Sequence, residues 1–221
     1  MASAVNIDRQ GTSLSALLAE VRGCERCVEH LPLGPRPVVQ AHADARILIA
    51  AQAPGRRVHE TGIPFNDASG ERLRDWLGIS RETFYDPTLM AIVPMGLCFP
   101  GTGKSGDLPP RPECAPAWRA PILARLKKLE LTLVIGRYAV AYHLPDDKQS
   151  LTAAVQGWRG RIENTVALPH PSPRNNAWLK RNPWFERDLL PVLRARVAEV
   201  LAPGTSEVRR SIQAYAVRSH D

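Results

Sequence analysis

Hydrophobic positions follow two rhythms along this chain. "SLSALLAEVRGCERC" carries Leu14, Leu17, Leu18 and Val21 at helical spacing behind the capping residue Ser13 and stops at Gly23, which predicts a short helix. "ARILIAAQAPG" is instead an unbroken apolar run ending in Pro-Gly, the mark of a buried strand, and the amphipathic "SGERLRDWLGI" follows it as a helix. "TLMAIVPMGLC" is a second apolar run that breaks into a Gly- and Pro-rich loop over residues 99–116. "RAPILARLKKLELTLVIGRYAVAYHL" predicts a helix, a third strand ending at Gly136 and the start of another helix. "TVALP", from Thr165, is the fourth strand, and "NPWFERDLLPVLRARVAEVLA" is a closing helix with Pro183 near its start.

Strands alternating with helices imply an α/β fold: three layers, αβα, around a central four-stranded, mostly parallel sheet. One domain over residues 1–202 accounts for the periodic segments, and residues 203–221 are polar enough to form a tail. The loops near Gln52, Cys98, Gly136 and His170 then lie along one sheet edge, where open α/β sheets bind ligands.

Composition narrows the partners. With 44% hydrophobic residues in 221, one core suffices. Lys and Arg outnumber Asp and Glu by 29 to 22, for a net charge of +7 and a pI near 9.6, a balance that suits a phosphate-bearing partner. The first residues, "MASAVNIDRQ", hold no apolar leader, and no run approaches a membrane span, so the expectation is a cytoplasmic protein with no membrane partner.

The four cysteines form one close pair, Cys24 and Cys27 in C-x2-C spacing, and one wide pair, Cys98 and Cys114. Two residues between thiolates let both reach one metal centre, and the wide spacing lets a loop wrap around it. A zinc ribbon normally has a short knuckle at both ends, so the pattern favours iron-sulfur, with zinc and unlinked buried thiols as the other readings.

"PHPSPRN", residues 169–175, sets His170 between two prolines and follows it with a third. Each proline fixes its own backbone and pushes its predecessor into an extended state, so the imidazole is held on a stiff track at a strand end; the plainer reading is a turn histidine capping a neighbour. "GTGKSG", residues 101–106, looks like a phosphate loop but lacks the glycine that motif needs, since Cys98 occupies its place, and "DLPPRPEC" follows where a helix should start. It predicts a basic surface loop, and no nucleotide cofactor is expected.

Taken together, "AQAPG", "GIPFNDASGERLRDWLG", the cysteine pattern and "HPSPRN" resemble the uracil-DNA glycosylase superfamily, and within it the bacterial iron-sulfur branch, over roughly residues 20–200. The resemblance implies a 4Fe-4S cluster held by Cys24, Cys27, Cys98 and Cys114, and a pocket for a flipped-out uracil. It makes Gln52, Ala53 and Gly55 part of the first catalytic loop, Phe65 the ring that stacks on the base, and His170 the donor to a uracil oxygen. Ser172, Arg174 and Asn175, with Arg56 and Arg57 opposite, would hold phosphates beside the flipped nucleotide.

Two departures stand out. The branch carries an acid where this chain has Gln52, and an asparagine where it has Pro94. His59, Asn66 and Asp67 are candidates to take over, with His59 and Asn66 favoured. The implied activity is hydrolysis of the N-glycosidic bond of uracil in DNA by a monomer, leaving an abasic site. Pro94 keeps hypoxanthine open as the base, and Gln52 keeps open a silent protein that binds damaged or abasic DNA. A metal-dependent nuclease would want clustered carboxylates at strand ends, and this chain offers few beyond Asp67 and Asp107.

Overall fold

Four short apolar runs pair into one sheet because each is buried along its length and too short to bury itself alone. The computed structural model describes residues 12–104, 106–145 and 150–203. Strands β1 (Ile47–Ala50), β2 (Met90–Ile92), β5 (Leu131–Ile135) and β6 (Thr165–Leu168) lie in the order β2-β1-β5-β6, every pair parallel. The expected four-stranded α/β sheet flanked by helices is what the chain forms.

Side chains alternate across the sheet and divide the core in two. Ile47, Ile49, Met90 and Ile92 face α3 (Ala68–Leu77) and α9 (Leu190–Leu201), while Leu48 and Ala91 face α1 (Leu14–Arg22) and α5 (Cys114–Leu123). Ser13 caps α1 through its side chain, which accepts from the Ala16 amide at 3.2 Å.

Several elements depart from the sequence expectation. The third predicted helix starts at Cys114 itself, so the fourth cysteine opens α5. The closing helix is broken: a π-helical turn over Phe185–Leu189 precedes α9, where Pro191, lacking an amide proton, occupies the first turn. Short helices α2 (Arg56–Thr61), α4 (Arg81–Tyr85), α6 (Gly136–His143), α7 (Leu151–Gln156) and α8 (Asn176–Arg181) fill the connections. The expected basic surface loop is a small hairpin, β3 (Thr102–Gly103) antiparallel to β4 (Gly106–Asp107). The polar tail lies outside the described residues beyond position 203. Among the described residues no helix is long and apolar enough to cross a membrane.

Candidate active site

The carboxyl ends of β1, β2 and β6 open into a cleft of about 610 Å³, lined by residues 51–55, Phe65, Asp67, Pro94, Asp107, His170 and residues 172–175 among others. Hydrogen bonds continue past the ends of β1 and β2: Val93 N to Ile49 O at 3.0 Å, Met95 N to Ala51 O at 2.7 Å and Gly96 N to Gln52 O at 2.9 Å. This stapling sets Gln52 beside Pro94 on the cleft floor. Arg119 secures the same corner from beneath. It is 1% exposed and donates to the carbonyls of Val93 at 2.7 Å and Pro94 at 3.3 Å.

The His170 loop is locked from several sides. The Ser172 amide donates to His170 Nδ1 at 3.1 Å, so Nδ1 is the acceptor and the neutral ring carries its proton on Nε2. Burial holds the imidazole pKa below its usual value, opposed by the Asp67 and Asp107 carboxyls, with the Arg174 charge adding to the depression. Asn175 Nδ2 donates to the His170 carbonyl at 2.7 Å, and Arg72, from α3, donates to the Ser172 carbonyl at 3.2 Å. The three prolines are therefore one part of a larger clamp.

Across the cleft, Phe65 is held in an uncommon left-handed backbone conformation, φ 53°. Three contacts fix it there. The Tyr85 hydroxyl donates to the carbonyls of Pro64 at 2.9 Å and Phe65 at 3.3 Å, and Phe84 meets the ring edge-on with centroids 6.0 Å apart. Gly70 leaves room for the Phe65 backbone, because a Cβ at position 70 would lie 1.8 Å from the Phe65 oxygen. Asp67 caps α3 by accepting from the Gly70 amide at 2.9 Å.

Of the residues singled out in the sequence, Gln52, Ala53, Gly55, Phe65, His170, Ser172, Arg174 and Asn175 line the cleft. His59 does not. It is 8% exposed on α2, its ring 6.2 Å from Phe99, its Nδ1 without a partner, and burial, then the Arg36 charge, lower its pKa. A helix over Arg56–Thr61 turns Val58 and His59 inward, which a loop reading of this segment misses. Asn66 also lies off the lining, its Oδ1 accepting from Arg81 at 3.4 Å. Arg56 stands over the Phe99 ring at 5.7 Å, its charge weakly opposing the rise that partial burial gives the Asp107 carboxyl's pKa, and Arg57 is exposed on α2 outside the lining. Asp107 is the residue that sequence reasoning left out of the site.

The four cysteines border one separate cavity with Leu97 and Trp118. Trp118 Nε1 donates to Cys24 Sγ at 3.2 Å and the Leu97 amide to Cys114 Sγ at 3.3 Å. Burial pushes the Cys98 thiol up to about 12 and the Cys114 thiol up to about 11, with the neighbouring thiols acting in the same direction. All four are free thiols, and as placed no three His, Cys, Asp or Glu groups among the described residues close around a common metal position.

Comparison with known proteins bears on this arrangement. A solved structure similar to this chain is the solution NMR structure of a candidate uracil DNA glycosylase from Methanosarcina acetivorans, 16% identical, covering 71% of this chain and 93% of its own, with a TM-score of 0.43. The family model of the uracil DNA glycosylase superfamily matches residues 38–194, a span that holds every cleft-lining loop described above. The chain belongs to the uracil DNA glycosylase superfamily.

Proposed function

We propose that this protein is a DNA glycosylase that receives a flipped deaminated base, uracil first, in the cleft between Phe65 and His170 and hydrolyses its N-glycosidic bond, leaving an abasic site. The observation that carries this reading is the state of His170: a neutral imidazole whose Nδ1 is occupied by the Ser172 amide and whose Nε2–H remains for a ligand in the cleft.

Cleaving a base from deoxyribose develops positive charge on the sugar and negative charge on the base. A neutral donor fixed before the substrate arrives stabilises the departing base without reorganising, and removing such a donor costs about a hundredfold or more in rate. Phe65 offers its face for stacking, which offsets part of the few kcal/mol needed to unstack the base. Gln52, Ala53 and Gly55 supply the polar wall along the sugar side. Arg174 and Ser172, with Arg56 and Arg57 on the facing helix, hold the phosphates on either side. Asn175 acts through its bond to the His170 carbonyl and is a positioning residue.

The cysteine cavity supports a resident cluster. Its donor set is four thiols, and N–H groups of Trp118 and Leu97 already point at two of the sulfurs, as thiolate ligands require. Cys24, Cys27, Cys98 and Cys114 would hold a 4Fe-4S cluster, whose contribution when bound is to cross-link the end of α1, the exit of β2 and the start of α5.

Pro94 keeps a second base, hypoxanthine, open. It occupies the cleft floor with an apolar ring where a side-chain amide would otherwise read the uracil edge. Labelled duplexes carrying one uracil or one hypoxanthine, incubated with the protein and then treated with alkali, distinguish the two. Strand cleavage after exposure to either base supports the glycosylase reading. Tight binding without cleavage on both would replace it with a silent damage-binding protein.

A further inference from the structure

We infer that Asp107 is the carboxylate that holds and activates the attacking water, and that Gln52 is the residue that positions it. This rests on the glycosylase reading and adds a catalytic group to it. Base hydrolysis needs a group near the sugar that orients a water and accepts its proton, and a glutamine amide cannot take that proton. Two carboxylates line the cleft, Asp67 and Asp107. The Asp67 carboxyl already accepts from the Gly70 amide as the cap of α3. Asp107 accepts no hydrogen bond among the described residues and stands at the cleft rim, where water reaches it.

The hairpin brings Asp107 to the first loop. A Cβ added at Gly55 would lie 3.3 Å from Asp107 Oδ2, so the carboxyl sits directly against the turn that leaves β1. On its other side a Cβ at Gly106 would lie 2.2 Å from Arg174 Nη1, so the same hairpin packs on the His170 loop. Gln52 Nε2 donates to the carbonyl of Leu108, the next residue after Asp107, at 3.0 Å, and the Leu108 amide closes the hairpin base on Gly101 O at 2.8 Å. An acid at position 52 would turn a carboxylate toward that carbonyl and toward Asp107. The amide at 52 and the acid at 107 therefore belong together: the first is the clamp that places the second.

The electrostatics agree with this role. Partial burial of its cleft-facing side lifts the Asp107 carboxyl above its ordinary pKa and Asp67 adds to the rise, while Arg174, His170 and Arg56 pull it down. In the reaction, the bond between C1′ and the base nitrogen breaks with its electron pair leaving on the base. The water oxygen bonds to C1′ and passes one proton to Asp107, which returns it to solvent, and the base anion beside His170 takes a proton from solvent. One water is consumed, and free base and a C1′ hydroxyl result.

The test is single-turnover base release from the uracil and hypoxanthine duplexes by the wild type, Asp107→Asn, Asp67→Asn and Gln52→Glu, with melting temperature and affinity for an abasic duplex measured on each. The expected result is a loss of about a hundredfold or more in Asp107→Asn, with wild-type melting and no weakening of DNA binding, and a slower Gln52→Glu. An active wild type with Asp107→Asn within about threefold of it overturns the assignment of Asp107 alone, most clearly if Asp67→Asn is the inactive variant. A wild type that releases neither base overturns the glycosylase reading and this inference with it.

Discussion

Phe65 and Gly70 illustrate how single residues set the site. Phe65 adopts φ 53°, a region costly for an aromatic side chain, and persists there because Tyr85, Phe84 and the first turn of α3 surround it. Gly70 is the permissive partner, since any Cβ would collide with the Phe65 oxygen at 1.8 Å. Gly70→Ala is expected to lower stability by about 1–3 kcal/mol and to weaken base release further through displacement of the Phe65 ring. Urea unfolding and single-turnover kinetics on the same preparation measure the two effects. Wild-type values in both would show that the ring position does not depend on this contact. That His170 lines the strand-end cleft was legible from its three prolines, but its tautomer was not, because that depends on the Ser172 amide folding back onto Nδ1.

A second residue-level consequence concerns pH. Burial and the adjacent Arg119 charge push the His143 pKa down to about 4, and His143 Nε2 accepts from Arg119. The unfolded chain has the ordinary histidine pKa near 6.5, so unfolding takes up a proton between these values. This contribution is complete above about pH 6.5 and is lost as pH falls toward 4, by at most about 3 kcal/mol in all. Denaturation of the wild type and His143→Gln at several pH values checks this. The wild type should lose stability more steeply over that window, and parallel curves would contradict it.

At the scale of elements, the sequence showed long periodic segments well and short ones poorly. α1, α3 and the four buried strands carry enough apolar repeats to be read directly. α2 spans six residues without an apolar stripe, which is why His59 read as a cleft residue when it packs on Phe99. The β3–β4 hairpin has two-residue strands containing two glycines, too brief for any alternation, yet it is the element that delivers Asp107. α5 begins at Cys114 and carries Arg119, so one helix joins the thiol cavity to the carbonyls under Pro94. Anaerobically purified protein is therefore expected to contain iron and acid-labile sulfide in equal amounts, and Cys114→Ala to lose both and melt at lower temperature. Zinc in their place, or unchanged melting, would contradict the proposed cluster.

For the whole molecule, the parallel sheet gathers three strand ends, the hairpin and the His170 loop around one cleft, as open α/β sheets do at their carboxyl edge. The net charge of +7 suits a polyanionic partner, and Arg174, after His170, lines the cleft. The four-stranded parallel sheet and the wide Cys98–Cys114 spacing could be read in the sequence, while the strand order could not. The meeting of Gln52 with Leu108, and so of the first loop with the hairpin, could not, because it joins residues 56 positions apart through one amide. The role of His170 as donor to the departing base is tested by quantifying free base released from a uracil-containing duplex by the wild type and by His170→Ala under single-turnover conditions. Stoichiometric uracil release by the wild type is expected, with a rate lower by about a hundredfold or more in the variant. Equal release by both proteins would contradict that role.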